Sequence, residues 1–263
     1  MSSADVLERE RIEQEIRARG LTLGLPLLLL EQAGSTNDIA ATEAMRGIAH
    51  GALVLADRQT AGRGRLGRKW FSPAGENLYM SLVLRPRVAV ERLAPITLAI
   101  GLAIAEAVAP FVPGVQVAVK WPNDVLIARR KACGILVEAS MCGFELRHLV
   151  AGIGIDVLQT AFDPEIAPIA TSIGMHAPVR VDRTSVLLQV LEGLARRLAQ
   201  FERAGLGAMM EELRARDATL GRPLKCVQGL GRGDGIEADG ALGVQLDSGE
   251  RVLVRAGEVE LMG

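Results

Sequence analysis

Apolar positions along the chain switch between a helical period and short strand-length runs, and the switches predict its elements. Residues 4–19, ADVLERERIEQEIRAR, read as one exposed, charged helix closed by Gly20. The run Leu25 to Leu30 reads as a buried strand. Ser35-Thr36-Asn37-Asp38 then supplies N-cap chemistry for a short helix that Gly47 stops. Ala52 to Ala56 and Leu78 to Leu84 predict two more strands, and residues 93–109 an apolar helix that tolerates Pro95 in its first turn. Antiparallel strands follow. Val115 to Lys120 and Val125 to Ala128 flank the turn Trp121-Pro122-Asn123-Asp124, and Ile135 to Ala139 and Leu146 to Ile155 flank Met141-Cys142-Gly143. Two amphipathic helices cover roughly residues 183–204 and 206–216.

The texture changes after Asp217. Gly231-Arg232-Gly233-Asp234-Gly235, Ala238-Asp239-Gly240, Asp247-Ser248-Gly249 and Ala256-Gly257 read as turns around short apolar runs such as Leu242 to Leu246 and Val252 to Val254. That spacing predicts a small β-barrel and a domain boundary near Ala218. Residues 1–217 are then one domain, with 1–24 a helical extension, and residues 218–263 a second.

Composition narrows the function. The 263 residues suit one large domain with a small appendage. Lys plus Arg number 30 against 31 Asp plus Glu, a formal charge of −1. That balance excludes a broad electrostatic footprint for nucleic acid, so any basic site is local. Cys133, Cys142 and Cys226 form no CxxC pair, which excludes a disulfide framework or a Cys-rich zinc site and suits a reducing compartment. The first residues lack the apolar stretch of a signal peptide, and Leu93 to Ala105 is too short to span a bilayer. A soluble, cytoplasmic protein with no membrane partner is expected.

The local basic site is Arg58 to Lys69, which holds Arg58, Arg63, Arg65, Arg68 and Lys69 with no acid until Glu76. Glycines at 62, 64 and 67 let the backbone approach a ligand closely. Like charges this dense repel, so the loop is expected to stay mobile until an anion gathers it. Gly62-Arg63-Gly64-Arg65-Leu66-Gly67 matches GxGxxG, but no strand ends directly before it, no helix starts after it and no acid stands near Leu84 to Arg87. The dinucleotide fingerprint therefore fails, and no GKS or GKT offers a P-loop. The plainer alternative is a solvated basic loop, or one that touches RNA. Downstream, Lys120, Trp121, Asn123 and Asp124 could meet phosphate, base, sugar and Mg²⁺ respectively, although Pro-Asn-Asp is also ordinary turn chemistry. Lys131 stands at the entrance of a buried strand, where it could also simply snorkel.

Taken in order, GRGRLGRKWFSP, KWPND, RKACGILVE and GIGID closely resemble the biotin protein ligases, as do STN at 35–37 and Gln59 in RQTAGRG. The likeness runs from about Leu27 to the C-terminus, where GRP at 221–223 and AGEVEL resemble the family's C-terminal domain. It implies an α+β fold: a mixed β-sheet flanked by helices, related to class II aminoacyl-tRNA synthetases, with a small C-terminal SH3-like β-barrel. It also implies ATP-dependent activation of biotin to biotinyl-5′-AMP. Transfer then goes to a lysine of a biotin carboxyl carrier protein, that of acetyl-CoA carboxylase or a related carboxylase. Ser35, Thr36, Asn37 and Gln59 would line the biotin pocket. Gly62, Arg63, Gly64 and Arg65 would close over biotin's carboxylate and the adenylate phosphate. Lys131 would reach the same carboxylate, and Gly134 and Gly152 would leave room for the ligand. Arg65, Arg68, Trp70, Lys120, Asn123, Asp124 and Asp156 would face ATP, with Asp124 touching Mg²⁺ carried by the nucleotide. Arg65, Lys131 and Lys120 would be catalytic, through charge.

Three departures from the family stand out. Asp156 replaces the usual Asn and, when ionised, cannot donate a hydrogen bond. Gln228 to Gly235 is shorter than usual, so the barrel is expected to lack a hairpin. Only 34 residues precede Ser35, too few for a winged helix-turn-helix, so neither repression nor specific DNA binding is expected. The chain is expected to be a monomer or a weak homodimer. Rival readings are a lipoate ligase or octanoyl transferase of the same superfamily, and a nucleic-acid-binding module built on Arg58–Lys69.

Overall fold

The computed structural model describes residues 5–262. Seven strands form the main sheet: β1 (Leu27–Ala33), β2 (Leu53–Gln59), β3 (Leu78–Leu84), β4 (Val117–Lys120), β5 (Asp124–Ile127), β6 (Arg130–Cys142) and β7 (Glu145–Ile155). Their order is β1-β2-β3-β7-β6-β5-β4. β1 and β2 run parallel and the other neighbours antiparallel, so the sheet is mixed, as expected.

Helices cover both faces: α1 (Arg9–Ala18), α2 (Thr36–Met45), α3 (Ile96–Val108), α4 (Arg183–Ala204) and α5 (Met210–Ala215). Alternate strand residues serve the two faces. Leu53 and Leu55 join the large core with α3 and α4, while Val54 packs with Ala40 and Ala44 of α2. α3 is apolar nearly all round because it is buried nearly all round, between the sheet and α4.

Two elements depart from the expectation. The N-terminal helix starts at Arg9 rather than residue 4, which lies outside the described residues, and it is not merely exposed. Ile12 and Ile16 are fully buried, since an i, i+4 pair puts one apolar stripe on the core. β1 is a sheet edge, so Leu28, Leu29 and Leu30 are only half-buried.

The C-terminal residues form a second, antiparallel sheet: β8 (Pro223–Cys226), β9 (Gly229–Ile236), β10 (Leu242–Leu246), β11 (Arg251–Val254) and β12 (Glu260–Leu261), ordered β11-β10-β9-β8-β12. Among the described residues no ladder joins β11 to β12, so this sheet is open. Gly231 to Gly235, expected to be a turn, is instead the middle of β9. Its glycines admit other backbone: a Cβ on Gly231 would overlap Gln245 O, and one on Gly233 would overlap Thr219 O.

The second sheet is fixed to the first at β4. Val119 N–H donates to Arg216 O at 2.7 Å and Ala218 N–H to Val119 O at 2.9 Å. The Trp121 indole N–H donates to Gly240 O at 3.0 Å.

Candidate active site

A cavity of about 660 Å³ opens where β2, β6 and β7 meet the start of α2 and the segment after β2. Of the site residues predicted from sequence, every one but Gly62 and Trp121 lines it.

One cluster in the cavity is neutral and hydrogen-bonded. Gln59, the last residue of β2, accepts at Oε1 from Thr36 N–H at 2.9 Å and Thr36 Oγ1 at 3.1 Å. Its amide donates to Ser72 Oγ at 3.1 Å. The Ser81 hydroxyl lies 2.8 Å from Thr36 Oγ1 and 2.6 Å from Asn37 Oδ1, and its one proton serves one of them at a time. Asn37 Nδ2 donates to Glu138 Oε2 at 2.6 Å. Ser35 caps α2 by backbone position, but its side chain makes no cap bond, contrary to the N-cap expectation. It faces the cavity instead.

A second cluster carries charge. Asp124 lies 2.7 Å from Lys131 Nζ and 3.7 Å from Lys120 Nζ. Burial pushes the Lys120 ammonium below its usual range, with Asp124 opposing. Lys131 Nζ also sits 5.3 Å from the centre of the Trp70 ring, a cation–π arrangement. The Arg65 guanidinium donates to Asn123 Oδ1 at 3.2 Å, and Asn123 Nδ2 donates to Ile135 O at 2.9 Å. Burial lowers the Arg65 pKa, so its charge stands in a partly desolvated place where Coulomb interactions are strong. Asp156 is 6% exposed, and burial raises its carboxyl from 3.8 to about 8. At neutral pH burial therefore favours the protonated form, which can donate, so the ionised condition under which it could only accept is not the favoured one.

The basic loop takes a defined turn. Gly64 N–H donates to Arg68 O at 2.7 Å and Trp70 N–H to Gly62 O at 2.9 Å, around a turn with Leu66 at φ 55° and Gly67 at φ 75°. Acids distant in sequence offset the repulsion. Arg63 bonds Asp38 at 2.6 and 2.7 Å and meets Glu138 at 3.4 Å, while Arg68 pairs with Glu258. Arg63 thus has its charge satisfied by two carboxylates and its pKa raised, first by the Asp38 bond. It holds the loop to α2 and β6 rather than presenting a free cation.

The glycines also differ from expectation. Gly62 does not line the cavity; a Cβ there would lie 2.6 Å from Trp70 O. The space beside Gly152 is filled by Asn37 Oδ1, and Trp70 lies across Gly134 and Gly154, 2.8 and 2.6 Å from where their Cβ atoms would be. These glycines seat two side chains of the site. Trp121 is buried and bonded to Gly240, so it does not face the cavity as a base partner would.

Sequence reasoning passed over Asp38, Ser81, Glu138 and Glu258. Ser81 had a signal, as the one hydroxyl in the otherwise apolar run Leu82 to Leu84 and Met80. Glu138 closed a motif already singled out. Among the described residues no group of three His, Cys, Asp or Glu side chains could hold a metal alone. The lone carboxylate of Asp124 fits an ion held mostly by a nucleotide's phosphates. No helix among these residues is long and apolar enough to cross a membrane.

The model of the Biotin/lipoate A/B protein ligase family matches residues 30–156. The chain is 34% identical over 245 residues to a Biotin--[acetyl-CoA-carboxylase] ligase of Mycobacterium tuberculosis, covering 88% of this chain and 87% of that one. It is 36% identical over 183 residues to the Bifunctional ligase/repressor BirA of Bacillus spizizenii, of whose length the match spans 56%. Among solved structures, the biotin protein ligase from Aquifex aeolicus in complex with biotin and ATP superposes with a TM-score of 0.78 at 31% identity, covering 90% of this chain and 98% of that one.

Proposed function

The chain belongs to the biotin protein ligases, within the biotin/lipoate A/B protein ligase family. On that premise we propose that it joins biotin to ATP as biotinyl-5′-AMP and passes the biotin to a lysine of a carboxylase's biotin carboxyl carrier protein. One observation carries the reading: a single cavity holds both a neutral amide-and-hydroxyl cluster and a cluster of cations around one carboxylate.

The two clusters suit the two ends of the reaction. A ureido ring on an apolar chain asks for a few fixed hydroxyl and amide partners, and Ser35, Thr36, Asn37 and Gln59 are of that kind. Attack of a carboxylate on the α-phosphorus of ATP brings two anions together. Arg65, Lys120 and Lys131 oppose that repulsion and stabilise charge that builds in the transition state. Mg²⁺ arriving with the nucleotide, beside Asp124, would add Lewis-acid neutralisation of the phosphates. Neutral Asp156 donates where the family's Asn does. The folded loop, clasped by Arg63 and Arg68, keeps water from the mixed anhydride. The carrier's lysine is the second nucleophile, and Lys131 has no covalent role.

The finer assignments belong to the same reading. The open C-terminal sheet is SH3-like, the boundary falls between residues 217 and 218, and the main sheet is of the class II synthetase kind. The protein works in the cytoplasm.

Pyrophosphate exchange tests the proposal. It should depend on biotin and not on lipoate, and Lys131→Ala should slow it on the order of 10²–10³-fold, the usual cost of one preorganised transition-state charge. Lipoate-dependent exchange, or an unimpaired mutant, would refute it.

A further inference from the structure

A second cavity, of about 380 Å³, adjoins the first and shares Arg65, Asn123, Ile135 and Leu136 with it. The Arg65–Asn123 hydrogen bond therefore stands in the partition between the two. A partition partly of side chains can open by rotamer changes alone. The other walls come from Thr97 and Leu98 of α3, Trp121, and Asp239 and Arg255 beside the C-terminal sheet. The site is firmly built. Gly240, at φ 86°, presses on α3, where a Cβ would lie 2.6 Å from Pro95, and its carbonyl holds the Trp121 indole.

No role assigned above uses this cavity. We propose that it is the channel by which the carrier's lysine side chain reaches the acyl-adenylate. The inference rests on the ligase reading, which supplies that intermediate.

Shape favours this occupant, and the charge favours its neutral, reactive form. Leu98, Trp121 and Pro122 offer an apolar wall to a tetramethylene stem. The charged lining is Arg65 and Arg255 against Asp239, and Arg255 already pairs with Asp239. An ammonium entering this excess of positive charge, out of water, gives up its proton more readily, to water at the mouth of the cavity. Only the neutral amine can attack. Its lone pair then forms the C–N bond to biotin's carboxyl carbon. The bond from that carbon to the phosphate oxygen breaks, AMP leaves with the electron pair, and the amine's surplus proton passes to water at the mouth.

The test fills the cavity from two different elements, with Thr97→Phe and, separately, Ala256→Phe. Each enzyme is loaded with biotinyl-AMP and chased either with the carrier protein of acetyl-CoA carboxylase or with hydroxylamine. Carrier transfer should fall on the order of tenfold or more, while hydroxylamine capture and biotin-dependent pyrophosphate exchange stay within about twofold. Carrier transfer at the parent rate in either variant, or an equal loss with hydroxylamine, overturns the channel. A parent enzyme with no biotin-dependent exchange would sink the ligase reading itself, and the channel with it.

Discussion

Two segments share a glycine–arginine alternation, GRGRLG at 62–67 and GLGRGDG at 229–235, yet one is a turn over a cavity and the other a strand. The glycines answer two needs in both segments, positive φ at Gly67, Gly229 and Gly235 and a carbonyl at the Cβ position of Gly62, Gly231 and Gly233, but the balance differs. In the first, Gly67 takes a positive φ that a side chain would resist. In the second, Gly231 and Gly233 are extended and matter because carbonyls occupy the Cβ positions. The arginines diverge as well. Arg63 reaches Asp38 of α2 and Glu138 of β6, and Arg65 reaches Asn123 in the turn before β5, whereas Arg232 donates to Gly221 O at 2.6 Å beside its own sheet. The string of letters does not separate the two; what packs against them does.

Substitutions should split the same way, chemistry from stability. Between the two segments the larger effect is expected for Arg65→Ala, which removes a partly buried cation that the proposed mechanism sets against the phosphate. Release of biotinyl-AMP should rise by roughly 10²-fold, the scale of one oriented charge, with no change in the thermal midpoint. Labelled adenylate retained on a filter, and biotin appearing on bystander lysines, would measure it. Retention equal to the parent's would remove the loop from the mechanism. Gly233→Ala should do the converse. Its methyl meets Thr219 O, so stability should fall by about 1–3 kcal/mol, the usual cost of overpacking. Exchange well below the melting range should be unchanged. Urea unfolding reads this, and loss of exchange without loss of stability would contradict it.

That pair of segments also shows what the sequence could disclose. β3 was legible to the residue, because a run between Asn77 and Arg85 that is apolar but for Ser81 and the Tyr79 hydroxyl admits little else. The cavity lining was legible because the family motifs are long. The state of the loop was not: its neutralising acids, Asp38, Glu138 and Glu258, come from three distant elements that only the fold brings together. β9 was hidden for the mirror reason, since glycine in a strand looks like punctuation until the carbonyl against it is seen. Nor could the raised pKa of Asp156 be read from its letter, because burial causes it.

A smaller effect should come from the clasp. Arg63 and its acids are partly exposed, so Arg63→Ala should cost no more than about 1 kcal/mol. A few-fold rise in KM for biotin, with kcat nearly kept, is expected. A collapse of kcat would show that Arg63 acts on the phosphate after all.

The mildest test concerns GIGID, a third glycine alternation, which is strand like β9 through Ile155 yet faces the cavity like the loop. Its Asp156 carries a proton in the fold up to about pH 8, where an unfolded chain would lose it near 3.8. The folded state thus binds the extra proton between those values, so stability should fall as pH rises through that window. The hydrogen bond to ATP proposed for the protonated Asp156 side chain should fade at its upper end. KM for ATP in the parent should accordingly climb a few-fold between roughly pH 7 and 9, and Asp156→Asn, which donates at every pH, should flatten both trends. If the substituted enzyme kept the parent's slope, the proton would lie elsewhere, and this segment would belong with β9 as scaffold rather than with the loop as machinery.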